Sequence, residues 1–161
     1  NVDIQPALVR RLAEIDTVRS IKESTLDVTR VRDIVELCGE RIDVFAGVLG
    51  YESFWLGAVG WIAVCSNLVP RDSARLFELA VDRADRDAAL EVYRRILPIV
   101  RWVGGPRYVQ ATKAGFQIMG ASMGPPRAPR LPLPADQHAA FRADLERLAL
   151  AGSLEGRLAA A

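Results

Sequence analysis

Lysine is nearly missing from this chain. Of the 21 basic residues among 161, only Lys22 and Lys113 are lysines, and the rest are arginines. Arginine stays protonated and cannot act as a nucleophile, whereas a desolvated lysine can lose its proton and attack a carbonyl. Histidine is rarer still, with His138 alone, and there are two cysteines, Cys38 and Cys65. That is too few ligands for a zinc cluster, so neither a metal nor another cofactor is expected. The cysteines lie in apolar surroundings and read as reduced, buried thiols of a cytosolic protein. Neither charge sign is in excess: the net charge is +1, with no basic field to draw nucleic acid or an anionic membrane. No apolar run reaches the roughly 18 residues that span a bilayer. The longest, around Phe54 to Val64, is broken by Gly57 and Gly60. The opening does not read as a signal peptide. Its first residue is Asn1, not methionine, as expected of a processed chain or a piece of a longer protein.

What is present fits an ordinary globular protein: 50% apolar and 25% charged residues. Asp3 is placed to cap a helix with Pro6 in its first turn, and Ile4, Leu8, Leu12 and Ile15 follow at helical spacing. Val18 to Glu23 reads as a strand, and Ser24 to Asp27 as a turn that caps the next helix. The apolar face of that helix is Val28, Val31, Ile34, Val35 and Cys38, and Gly39 ends it. Asp43 to Gly47 reads as a second strand, Gly50 to Leu56 as a short helix, and Gly60 to Cys65 as a third strand, apolar on both faces. Helices follow at Pro70 to Arg83, Arg86 to Val103 with Pro98 expected to kink it, Tyr108 to Met119, and Ala135 to Leu150. A connector with five prolines, Met123 to Pro134, precedes the last helix, and Gly152 to Ala161 reads as a frayed tail.

Alternating βα units imply a parallel sheet. Three parallel strands alone leave two open edges, and a complete (βα)₈ barrel needs about 250 residues. The expected fold is therefore α/β: the C-terminal part of a (βα)₈ TIM barrel, about three strands, followed by a C-terminal helical extension. The missing strands would precede Asn1. Residues 1–69 carry the last βα units, 70–150 the barrel-closing helix and the extension, and 151–161 the tail.

Strand alternation puts Val18, Ser20 and Lys22 on one face and Arg19, Ile21 and Glu23 on the other. If Ile21 packs against helices, Lys22 points into the barrel near its C-terminal mouth, where barrel enzymes keep their catalytic groups. Burial there favours the free amine. Such an amine can condense with a keto acid to an imine, an electron sink that acidifies the neighbouring carbon. On spacing alone, a strand-end lysine in a salt bridge fits the same residues.

The segment Val18-x-Ser20-Ile21-Lys22-Glu23-Ser24 resembles the lysine motif of the dihydrodipicolinate synthase/N-acetylneuraminate lyase superfamily of class I aldolases. Val44-Phe45-Ala46-Gly47 is similar to that family's seventh strand. Gly57 to Val64 with Ser66-Asn67-Leu68-Val69-Pro70 is similar to its eighth strand and Asn-x-x-Pro exit, and Lys113 with Gly120 to its C-terminal helix. The resemblance implies a Schiff-base-forming lyase (aldolase, synthase or dehydratase) in which Lys22 forms an imine with pyruvate or a related 2-keto acid. It implies that the backbone carbonyl of Ile62 lines the pyruvate site and that Gly47 leaves room for substrate. Read from the residues alone, the Ile62 side chain is barrel core and Gly47 a plain strand-end glycine. The family's proton-shuttling Tyr, carboxylate-binding Thr pair and an Arg fall before Asn1, and Tyr51, Tyr93 and Tyr108 do not replace the Tyr. The resemblance thus implies an inactive, unstable chain when alone, with the N-terminal part of the barrel as partner, in a cytoplasmic homo-oligomer (dimer or tetramer). The alternative is a non-catalytic or regulatory half-barrel that docks on a partner.

Three departures point to a divergent member. Leu26 stands where the family has glycine, Val48-Leu49 where an acidic pair often stands, and Tyr108 to Ala111 where synthases carry Asn-Pro-x-Pro. His138 reads as a solvated surface residue. Turn and capping roles account for most of Glu23, Ser24, Thr25 and Asp27. Trp55, Trp61 and Trp102 read as core or subunit-interface packing.

Overall fold

Three short parallel strands, with the helices and loops between them, carry Lys22 and Gly47. The computed structural model describes residues 2–150. It divides into two compact units: residues up to Ala63 with Phe77–Arg86, and Val64–Leu76 with residues from Asp87 on.

In the first unit α1 (Pro6–Leu12), β1 (Ser20–Glu23), α2 (Thr29–Cys38), β2 (Asp43–Ala46), α3 (Gly50–Phe54) and β3 (Gly60–Trp61) follow in chain order. The sheet order is β1-β2-β3, parallel throughout. Ser20 pairs with Asp43, Lys22 with Phe45, and Phe45 with Gly60. Helices connect consecutive strands, as a βαβ succession requires. The face of α2 read from the sequence is buried: Val31, Ile34 and Cys38 pack inward, with Ile34 fully enclosed.

Three expectations are corrected here. Asp3 does not cap α1. Gln5 holds the N-cap without a side-chain bond, Pro6 opens the helix, and Asp3 pairs with Arg30 instead. Val9, not Leu8, is the fully buried residue of α1. The third strand stops at Trp61 rather than Cys65. Its one partner among the described residues, β2, ends at Ala46, the Ile62 N–H bonds to the Ala46 carbonyl, and Cys65–Asn67 coils into a 3₁₀ turn.

The helix α4 (Pro70–Phe77) runs on into a π-helical turn over Glu78–Asp82, so Pro70 to Arg83 is helical nearly as expected. The second unit is built on α5 (Arg86–Val103), α6 (Tyr108–Ile118) and α7 (Ala135–Leu150). Pro98 sits inside α5 without ending it. The second unit's core contains Leu68, Leu76, Ile96, Ile99, Ile118, Phe141 and Leu145. Trp102 lies against Phe141 and donates its indole N–H to Asp144 at 2.6 Å. The tail expected from Gly152 to Ala161 lies outside the described residues.

Candidate active site

In-register parallel pairing sorts the sheet's residues by face. Lys22, Phe45 and Gly60 share one face with Ile62, two residues past Gly60. Ile21, Val44, Ala46 and Glu23 share the other. The second face is covered: Val44 and Ala46 are buried, and so is Glu23. The first face is open within this unit, where Lys22 is exposed and Ile62 is 51% exposed. Ile21, half-buried, therefore lies on the covered side and Lys22 projects from the uncovered one. Among the described residues the Lys22 ammonium makes no hydrogen bond or ion pair.

The loop that leaves β1 is fixed at several points. Gly47 donates its N–H to the Glu23 carbonyl at 2.7 Å. A Cβ on Gly47 would stand 1.9 Å from the Ser24 hydroxyl oxygen and 2.8 Å from the Glu23 carbonyl oxygen. Only glycine permits this approach, and Ser24 fills the space that a side chain at Gly47 would occupy. The Glu23 carboxylate turns back onto its own loop. Its Oε1 accepts from the Thr25 N–H at 2.6 Å and from the Thr25 hydroxyl at 2.5 Å. Its Oε2 lies 3.8 Å from Nε of Arg30, an ion pair rather than a hydrogen bond. Arg30 also donates to Asp3 Oδ1 at 2.8 Å and to the Ile4 carbonyl at 2.9 Å. The hydrogen bond to Asp3 raises the Arg30 pKa further above its ordinary value.

Leu26 adopts φ +69°, the left-handed region that favours glycine, at the very position where the sequence departs from glycine. Asp27 then accepts from the Thr29 N–H at 3.1 Å and from its hydroxyl at 2.5 Å, which lowers the Asp27 pKa and secures the first turn of α2. A small crevice lies on this side of the loop, lined in part by Glu23, Ser24, Leu26, Val48 and Ser53.

Lys22 and Ile62 thus share the open face. Gly47 lies at the β1 exit, one residue past β2, against Ser24. Sequence reasoning missed Arg30. Its hydrogen-bond partners lie 26 and 27 residues away in the chain, so no local pattern marks them; the one hint was a charged residue beside Val31 on the apolar face of α2.

Elsewhere the chemistry is quiet. Burial raises the Cys65 thiol to a pKa of about 11 and raises that of Cys38 as well, so neither is poised as a thiolate. His138, expected on a solvated face, is half-buried and lines a cavity of the second unit with Gln110, Lys113 and Ser122. Lys113 Nζ donates to the Met123 carbonyl at 2.7 Å, a tie to the proline-rich connector. Among the described residues no cluster of metal-ligating side chains occurs, and no helix is long and apolar enough to cross a membrane.

The dihydrodipicolinate synthetase family model matches residues 1–148. The chain is 30% identical over 152 residues to the 4-hydroxy-tetrahydrodipicolinate synthase of Syntrophobacter fumaroxidans, a match covering 92% of this chain and 52% of that protein. The enzyme of the same name from Legionella pneumophila (strain Corby) is 31% identical, with 92% and 51% covered. Among solved structures, the dihydrodipicolinate synthase of Acinetobacter baumannii complexed with pyruvate superposes with a TM-score of 0.80 at 26% identity, covering 90% of this chain and 50% of that one. The Aquifex aeolicus synthase reaches 0.85 at 24% identity, covering 96% and 53%. The chain spans about half the length of the curated relatives it matches. Its three parallel strands and helices match the C-terminal part of the TIM barrel of these synthases.

Proposed function

Because the chain belongs to the dihydrodipicolinate synthetase family, we propose that it is the lysine-bearing part of a Schiff-base-forming lyase acting on pyruvate or another 2-keto acid. One observation carries this reading: Lys22 is the penultimate residue of β1 and projects from the sheet face that the unit's own helices leave open.

The amine nitrogen of Lys22 attacks the keto carbon, the carbinolamine loses water, and an iminium ion results. That cation acidifies the adjacent C–H; loss of the proton gives an enamine. The enamine carbon then forms a bond to an electrophile, or the reverse step breaks one, or a hydroxyl β to the imine leaves as water. Hydrolysis returns the lysine. The Ile62 carbonyl lines the keto-acid site, and Gly47 lets the β1 exit loop close up beside Lys22. Proton transfer falls to groups supplied by the N-terminal part of the barrel, within a cytoplasmic homo-oligomer. Those groups also choose between aldol chemistry and dehydration.

The test is borohydride reduction of the full-length protein in the presence of pyruvate, followed by mass mapping. A reduced pyruvate adduct on Lys22 is expected. Its absence overturns the reading and favours a non-catalytic half-barrel that docks through its unpaired edges. Turnover by the 161-residue chain alone would overturn the requirement for a partner segment.

A further inference from the structure

We infer that Glu23 is a positioning residue for Lys22, holding the end of β1 through Thr25 and Arg30. This rests on the Schiff-base reading of Lys22. Glu23 lies on the opposite face of β1 and cannot touch a substrate bound at Lys22. Its side chain is 8% exposed, on a face whose other members, Ile21, Val44 and Ala46, are apolar.

A carboxylate in such a place is thermodynamically awkward. Burying a charge is costly unless it is paired, and replacing a buried ion pair with apolar side chains is often neutral or stabilising. A methionine here would meet the packing demand more cheaply. What the carboxylate adds is geometry: one oxygen holds both the N–H and the hydroxyl of Thr25, and the other faces Arg30. Arg30 is itself tethered to Asp3 and the Ile4 carbonyl, so the loop after Lys22 is referred to two separate segments of the unit. From the β2 side, the Gly47 N–H bond and the Ser24 contact hold the same residues. Lys22 is the next residue back along the strand. Loosening of the strand end misdirects its Cα–Cβ bond and hence the amine at the tip of a long side chain. Misplacement of a reacting group by about 1 Å can cost on the order of a hundredfold in rate.

The experiment measures the initial rate of borohydride-trapped pyruvate adduct at Lys22 in the full-length protein, alongside its thermal unfolding midpoint. For Glu23→Met the expected result is a midpoint equal to or above that of the unsubstituted protein, with trapping slowed about tenfold or more. Glu23→Gln, whose amide oxygen can still accept from Thr25, should recover most of the rate. Trapping at the unsubstituted rate by folded Glu23→Met overturns the inference, as does Glu23→Gln performing no better than Glu23→Met. Should Glu23→Met not fold, Thr25→Val removes the hydroxyl donor at an exposed residue. A several-fold loss of rate is then expected, and none would overturn the inference. An unsubstituted protein that gives no adduct overturns the Schiff-base reading and this inference with it. Equal rates in all variants overturn this inference alone.

Discussion

The two faces of the β1-β2-β3 sheet are made from alternate residues of the same strands, yet they answer to different demands. Val44 and Ala46 lie on the face that the unit's own helices cover, 1% and 0% exposed, with the half-buried Ile21 beside them. Lys22, Phe45 and Ile62 face away from them. The covered face keeps the unit folded; the open face carries the lysine for which Schiff-base chemistry is proposed. A one-residue slip of β1 would exchange them and bury the lysine among helices. Folding and the proposed chemistry therefore depend on the same register.

Five substitutions test that division. The largest effect belongs to Lys22→Arg, which keeps the charge and removes the nucleophile. Adduct formation is expected to vanish and turnover of the full-length enzyme to fall by roughly 10³ to 10⁶-fold; the measurement is borohydride trapping beside a steady-state assay. Next is a matched pair read by denaturant unfolding. Ile34→Ala, on the helix that covers the sheet, should cost about 2–5 kcal/mol, whereas Phe45→Ala on the open face should cost about 1 kcal/mol. Equal losses would mean that the open face also holds the unit together. Gly47→Ala forces a methyl into the Ser24 hydroxyl and should cost about 1–3 kcal/mol while slowing adduct formation. Leu26→Gly is the smallest. It relieves a left-handed backbone at a non-glycine residue and should raise stability by about 0.5–1 kcal/mol in the same unfolding measurement.

The placement of Lys22 on the open face was legible in the sequence because strand alternation with an apolar neighbour sets the faces. The long helices were legible too: α5 and α7 occupy the stretches read as helical, Arg86–Val103 and Ala135–Leu150. The third strand was overextended because its residues favour β structure through Cys65, while its length is set by β2, whose pairing stops at Ala46. The Asp3–Arg30–Glu23 chain was illegible for a similar reason. Asp3 has the composition of a helix cap, and only the packing of α1 on α2 shows that its partner is an arginine on the next helix. Gly47 was visible as a glycine at a strand end, but the hydroxyl that makes it indispensable belongs to a residue on another strand's exit loop.

Among the described residues, β1 and β3 each pair on one side only, so the sheet carries two unsaturated borders. Their lengths limit the hazard. β1 offers four residues and β3 two, too few for a foreign strand to gain a long ladder of hydrogen bonds. Brevity at the borders thus discourages fibre growth from the exposed edges.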